Sequence, residues 1–96
     1  MSKVSYCYNE GVSKQKPIKE ILAGWNGLER PQDGGKYQHY KGGHYEIIAT
    51  GFLEDAEVPC VVYRSLDKDI VWVRTAKNFL ESVEHNGKIV PRFSKL

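Results

Sequence analysis

Between residues 37 and 93 the chain is a succession of short β-forming runs, each closed by a turn signal, with no long helical stretch between them. That pattern constrains the fold more than any other feature. Strands joined by tight turns pair antiparallel, because a parallel neighbour needs a crossover of a dozen or more residues. Residues 37–40 place Tyr37 and His39 on one face and Gln38 and Tyr40 on the other. Lys41-Gly42-Gly43 then supplies a turn whose glycines accept positive φ. Residues 44–53 form the longest candidate strand, with Tyr45, Ile47 and Ala49 alternating against His44, Glu46 and Ile48. Gly51 inside it predicts a bulge or a sharp bend.

The later runs continue the pattern. Residues 54–57 are acidic and read as a solvated hairpin tip. Residues 58–64 are strongly β-forming, and Pro59, which cannot donate to a ladder, belongs at a strand start or on an edge. A turn over 65–69 leads to a strand at 70–75, where Ile70, Trp72 and Arg74 alternate with Val71, Val73 and Thr75. Residues 76–82 read as one helical turn with Phe79 and Leu80 to bury, and residues 83–90 as a hairpin around Asn86-Gly87, the preferred type I′ pair. The expected fold class is mainly β: a small SH3-like β-barrel of roughly five to six short strands, with a short N-terminal helix. A small open sheet packed by that helix is the alternative.

The helix is expected from Pro17 to Gly24. Proline suits the first turn, Ile18, Ile21 and Leu22 form an i, i+3, i+4 stripe, and Gly24 is a natural stop. So short a helix is unstable alone, so the stripe is expected to dock as a local core contact, helped by Trp25. Asn26-Gly27, Arg30-Pro31 and Asp33-Gly34-Gly35 punctuate the next stretch as a linker. The chain therefore divides into residues 1–36, an arm, helix and linker, and residues 37–96, the barrel-like unit. Within the arm, Tyr6 and Tyr8 fall on one face of any edge strand formed there.

A family resemblance rests on spaced motifs in the second part. His39-Tyr40-Lys41-Gly42, Tyr45, Val62-Tyr63-Arg64, Trp72-Val73-Arg74, Phe79-Leu80 and Pro91-Arg92-Phe93, in that order, resemble the family known as domain of unknown function 1653. The resemblance covers about residues 37–93. It implies a small β-rich domain of bacterial type, found alone or attached to others, and it brings no activity or catalytic residue. The Lys-Gly-Gly-His turn ending at His44 is richer in glycine than the family pattern, which implies a local change at the barrel mouth.

Composition narrows the function classes. At 96 residues the chain is sized for one domain, and 41% hydrophobic with 27% charged residues describes a folded globular protein. No apolar run approaches the ~20 residues of a membrane-spanning helix, and the opening MSKVSYCYNEG lacks the apolar core of a secretory signal. The expected address is the cytoplasm, with no membrane partner. There Cys7 and Cys60 are expected as reduced thiols. A net charge of +2 is small for a dedicated nucleic-acid binder.

No pattern in the sequence declares a catalytic, metal or cofactor site. His39 and His44 flank a glycine turn, but no Cys-x-x-Cys or His-x-x-x-His accompanies them. Cys60 lies in an apolar run, where burial makes a thiol inert, and neither a nucleophile elbow nor a phosphate-cradling glycine loop is present. No cofactor is expected. The sharper expectation is a binding surface built from Tyr40, Lys41, Tyr45, Arg64, Trp72, Arg74 and Arg92, aromatics interleaved with basic residues on neighbouring strands. Small barrels use such surfaces to grip extended peptides, or to stack single-stranded bases beside cations. The primary expectation is a binding or adaptor module for a peptide or protein partner. A nucleic-acid-associated module and a small accessory enzyme are the alternatives. Within the set, Trp72 reads as core, and Tyr40 and Arg74 as the exposed partners.

Overall fold

The computed structural model describes residues 16–96, so the expectations at Tyr6, Tyr8 and Cys7 lie outside the described residues. Helix α1 (Ile18–Leu22) opens on the Pro17 carbonyl, which accepts from the N–H groups of Glu20 and Ile21 at 2.9 and 3.1 Å, and runs on into a 3-10 turn at Ala23–Trp25. The strands follow in order: β1 (Lys36–His39), β2 (His44–Leu53), β3 (Val58–Ser65) and β4 (Val71–Thr75). A one-turn helix, α2 (Ala76–Leu80), precedes the hairpin β5 (Ser82–His85) and β6 (Lys88–Pro91), and β7 (Phe93–Lys95) ends the chain.

The fold is mainly β, with every strand pairing among the described residues antiparallel. Five strands form one sheet in the order β4-β3-β2-β1-β7, and β5 and β6 form a separate pair. Among the described residues β4 and β7 do not pair, so the sheet is not closed by hydrogen bonds. The Asn86-Gly87 expectation holds, since both residues carry positive φ, 53° and 76°, as a type I′ turn requires. Strand β7 was not anticipated, because three residues are too few to carry a periodic signal. Its place is set by pairing, with Phe93 opposite His39.

The irregularity in β2 falls at Ile48, not at the expected Gly51. Ile47 faces Tyr63 and Ala49 faces Val62, so one residue is extra, while Gly51 pairs regularly with Cys60. A bulge of one residue reverses which side chains point inward. Before it Tyr45 and Ile47 face the core; beyond it Thr50 and Phe52 stand opposite Val61 and Pro59 on that face. Ile48 is left exposed. Simple alternation along β2 therefore misassigns its second half.

Trp25, Ile47, Val61, Tyr63, Ala76, Phe79 and Phe93 make the core, with Tyr37, Tyr45, Phe52 and Leu80 packed against it. Trp25 joins it from the N-terminal side, and its indole N–H donates to the Gly51 carbonyl at 3.3 Å. The stretch read as a linker is tied to β2 by two backbone bonds, Gly34 N–H to Ile47 O and Ile47 N–H to Gly35 O. The docking expected of α1 is only partial. Ile18 and Leu22 remain 70% and 58% exposed and only Ile21 of the stripe is half-buried, the three lining a shallow depression with Phe52 while Trp25 beyond them reaches the core. Trp72 is also corrected: it is 48% exposed, since β4 has no neighbour on one side among the described residues to cover it.

Candidate functional site

Three cross-strand pairs place the candidate site. Tyr63 stands opposite Trp72, Tyr45 opposite Ser65, and His39 opposite Phe93. Directly paired residues share a face of the sheet. Because Tyr63 and Phe93 face the core, their partners point to the same side. Arg74, two residues beyond Trp72 on β4, follows them. Where the sheet stays open, these side chains line a cleft of about 370 Å³, completed by Lys68 and Val73.

The floor of the cleft is a web of rings. Phe93 stacks on Phe79 with centroids 4.2 Å apart and receives the edges of Tyr63, Tyr45 and His39 at 5.3, 5.7 and 5.0 Å. Tyr45 and Tyr63 also meet edge to face at 5.4 Å. Offset and edge-on contacts are the favoured geometries of aromatic quadrupoles, so the walls are held by one another.

Arg74 is fixed above this floor. Its Nε–H donates to the Tyr63 hydroxyl oxygen at 2.7 Å, its Nη1 donates to the Asn78 side-chain oxygen, and its guanidinium carbon lies 5.5 Å from the Phe93 ring centroid. These partners are neutral. Arg74 makes no ion pair among the described residues, in contrast to Arg64 with Glu46 and Asp69, and Arg92 with Glu81. Burial raises the Tyr63 phenol above its usual range, while the Arg74 hydrogen bond pulls the other way. His39 is held below the usual imidazole value, first by burial and then by repulsion from Arg74, Arg92 and Lys41. Its Nδ1 accepts from the Lys41 N–H at 3.1 Å, which puts the proton of the neutral ring on Nε2.

The seven residues expected to form one surface separate into two sets. Tyr45, Trp72 and Arg74 line the cleft. Arg64 follows Tyr63 on the strand and so points to the opposite face, where Glu46 at 2.9 Å and Asp69 at 3.1 Å hold it. Arg92 ties β7 to α2, donating to the Asn78 carbonyl and to Glu81. Tyr40 turns towards the hairpin, its ring edge-on to His85 at 5.2 Å, with the Lys41 ammonium 5.8 Å from its centroid. The cleft also takes His39, Tyr63, Ser65, Lys68, Val73 and Phe93. The alternation of Tyr63 with Arg64 was a signal for Tyr63; Phe93 depended on a pairing with His39 far back in the chain.

The groups in and near the cleft that catalysis could draw on have the following settings. The Ser65 hydroxyl donates to Asp67 at 2.8 Å, closing its own turn, and thus does not present its proton to a histidine base. Cys60 is buried as a thiol. No cluster of three or more His, Cys, Asp or Glu side chains suited to a metal occurs among the described residues. A second depression of about 480 Å³ lies beside Leu28, Val58 and Pro59, with Asn26, Thr75 and Lys77 as its polar lining.

Comparison with known proteins follows the same boundaries as the sheet. Residues 35–95 match the family described as protein of unknown function (DUF1653). A crystal structure of a DUF1653 protein from Bordetella bronchiseptica is similar at 28% identity and a TM-score of 0.62, over 71% of this chain and 87% of that one. No curated protein matches the chain.

Proposed function

The chain belongs to the DUF1653 family, and from that membership, which carries no assigned activity, we propose that it is a binding module for an extended peptide segment of a partner protein. The observation that carries the reading is the outer edge of β4 beside the cleft. This strand pairs only with β3 among the described residues, and Val71, Trp72 and Val73 stand 55%, 48% and 55% exposed. An edge strand presents a row of backbone donors and acceptors that another chain can pair with. Peptide recognition by strand addition uses such a row for affinity and adjoining pockets for side-chain choice. Here the adjoining pocket is the aromatic cleft, whose volume falls within the range of ~300–1,000 Å³ usual for ligand sites.

The same reading takes the curled sheet as an SH3-like barrel left open between β4 and β7. Its support is the strand order, the bulge that bends β2, and the α2 turn that delivers Phe79 to the core before the last strand. It also includes a cytoplasmic address, which suits the buried Cys60 thiol. No helix among the described residues is long and apolar enough to cross a membrane. Against a nucleic-acid partner stands the use of Arg64 and Arg92 in ion pairs, which removes two cations from the basic set that would follow a phosphate backbone.

Chemical-shift perturbation of the 15N-labelled protein tests the proposal, with a pool of extended Val/Thr-rich peptides and a mixed oligonucleotide pool, each at low and high salt. Peptide-induced shifts along Val71–Thr75 support strand addition. Shifts with oligonucleotide alone, fading in salt, would move the assignment to nucleic acid. A β4 edge unmoved by either pool overturns the proposal.

A further inference from the structure

We propose that the cleft contains a carboxylate subsite, with the Arg74 guanidinium as its anchor and Lys68 as the second cation; this rests on the peptide reading above. Two charged side chains line the cleft, both basic, and no carboxylate does. Of the nearby acids, Asp67 accepts from Ser65 beside the cleft, while Glu46 and Asp69 hold Arg64 on the other face. Arg74 thus keeps its positive charge in a half-buried, ring-lined site with neutral partners only.

The guanidinium is also positioned in advance. Tyr63 fixes Nε, Asn78 fixes Nη1 and the Phe93 ring carries the flat face, while Nη2 has no hydrogen-bond partner among the described residues. An arginine side chain held in one geometry has little rotamer freedom left to lose on binding. A carboxylate matches the planar fork and forms charge-assisted hydrogen bonds to it. Trp72 and Tyr45 then flank whatever carries the acid. Because Trp72 and Arg74 lie on the edge strand itself, a peptide laid along β4 brings its own side chains, or its C-terminus, over the cleft. The chemistry is the same for a Glu or Asp side chain and for a terminal carboxylate.

Three synthetic hexapeptides distinguish these sources: acetyl-Thr-Val-Thr-Glu-Val-Thr-amide, its Gln counterpart, and the Gln counterpart with a free C-terminal carboxylate. Titration followed at the Arg74 Nε–H and the β4 amides should show the Glu peptide, the free acid, or both binding about tenfold tighter than the neutral peptide, the scale of one charge-assisted hydrogen bond. That preference should shrink in Lys68→Ala, an exposed substitution that leaves the ring web intact. Shifts at β4 with equal affinity for all three peptides overturn the subsite and leave the peptide reading standing. If no peptide moves the β4 amides, but N-acetylphenylalanine and not its amide shifts Arg74, the subsite stands and the peptide reading falls. An Arg74 signal unmoved by any carboxylate overturns the subsite without recourse to an Arg74 variant, whose loss would also strip Tyr63 and Asn78 of a partner.

Discussion

Tyr63 and Arg74 are the residues on which core and cleft meet. The phenol is buried with its ring in the aromatic web, and its oxygen accepts from the Arg74 guanidinium, which makes no ion pair among the described residues. Tyr63→Phe keeps the ring and removes the acceptor, so it should lower stability by about 1–3 kcal/mol in urea unfolding, the cost of stranding a partly buried donor. Trp72→Ala should behave oppositely. Half of its surface is already in water, so stability should change by about 1 kcal/mol or less while peptide-induced shifts at β4 disappear. His39 supplies a pH test. Its folded-state pKa lies below the ordinary 6.5 through burial, with Arg74, Arg92 and Lys41 adding repulsion. Between that lower value and 6.5 the unfolded chain binds more protons than the folded one, so stability rises with pH across the window and is lost as pH falls through the folded pKa. An NMR titration of the imidazole should show a midpoint below 6.5, and that pH-dependent increment should vanish in His39→Asn. The sequence made Tyr45, Trp72 and Arg74 candidates from residue type and alternation. It could not separate Arg74 from Arg64 and Arg92, because ion pairing depends on which acids the fold brings alongside each.

At the scale of elements, turn chemistry was the most readable information in the chain. Asn86-Gly87, the glycine turn after His39 and the Ser65–Asp69 turn all stand where their residue types put them. The α2 turn is a further case. Thr75 caps it, its hydroxyl oxygen accepting from the Asn78 N–H at 3.2 Å. Thr75→Ala should therefore cost about 0.5–2 kcal/mol in thermal or urea unfolding. Because Asn78 also receives Arg74, the same variant should disturb the Arg74 Nε–H signal. The bulge at Ile48 and strand β7 were not readable. A bulge is a property of a pair of strands, visible only once β3 supplies the register, and β7 exists because β1 offers it an edge.

For the molecule as a whole, stability concentrates where three separate parts of the chain converge on Phe79. Its ring stacks on Phe93 from the C-terminal strand and meets Tyr37 and Tyr63 edge-on at 5.4 and 5.5 Å. Phe79→Ala should cost about 3–5 kcal/mol, a large share of the ~5–15 kcal/mol available to a domain, and should shift the urea midpoint more than any substitution in α1 or the β5–β6 hairpin. Ile18, Leu22 and Ile89 are exposed, so truncating them removes little buried surface.

Local rules account for most of the strands, the turns, the mainly β class and the family, because each depends on residue type at short spacing along the chain. Which faces turn inward, which of Arg64, Arg74 and Arg92 stays out of an ion pair, and which tryptophan reaches the core were decided by tertiary structure. Each of these follows from what lies beside a residue in the fold: Trp25 under Gly51, Phe93 beside His39, and, among the described residues, no strand beyond β4 to cover Trp72. Burial and charge compensation are properties of neighbours, and the neighbours exist only after the sheet has formed.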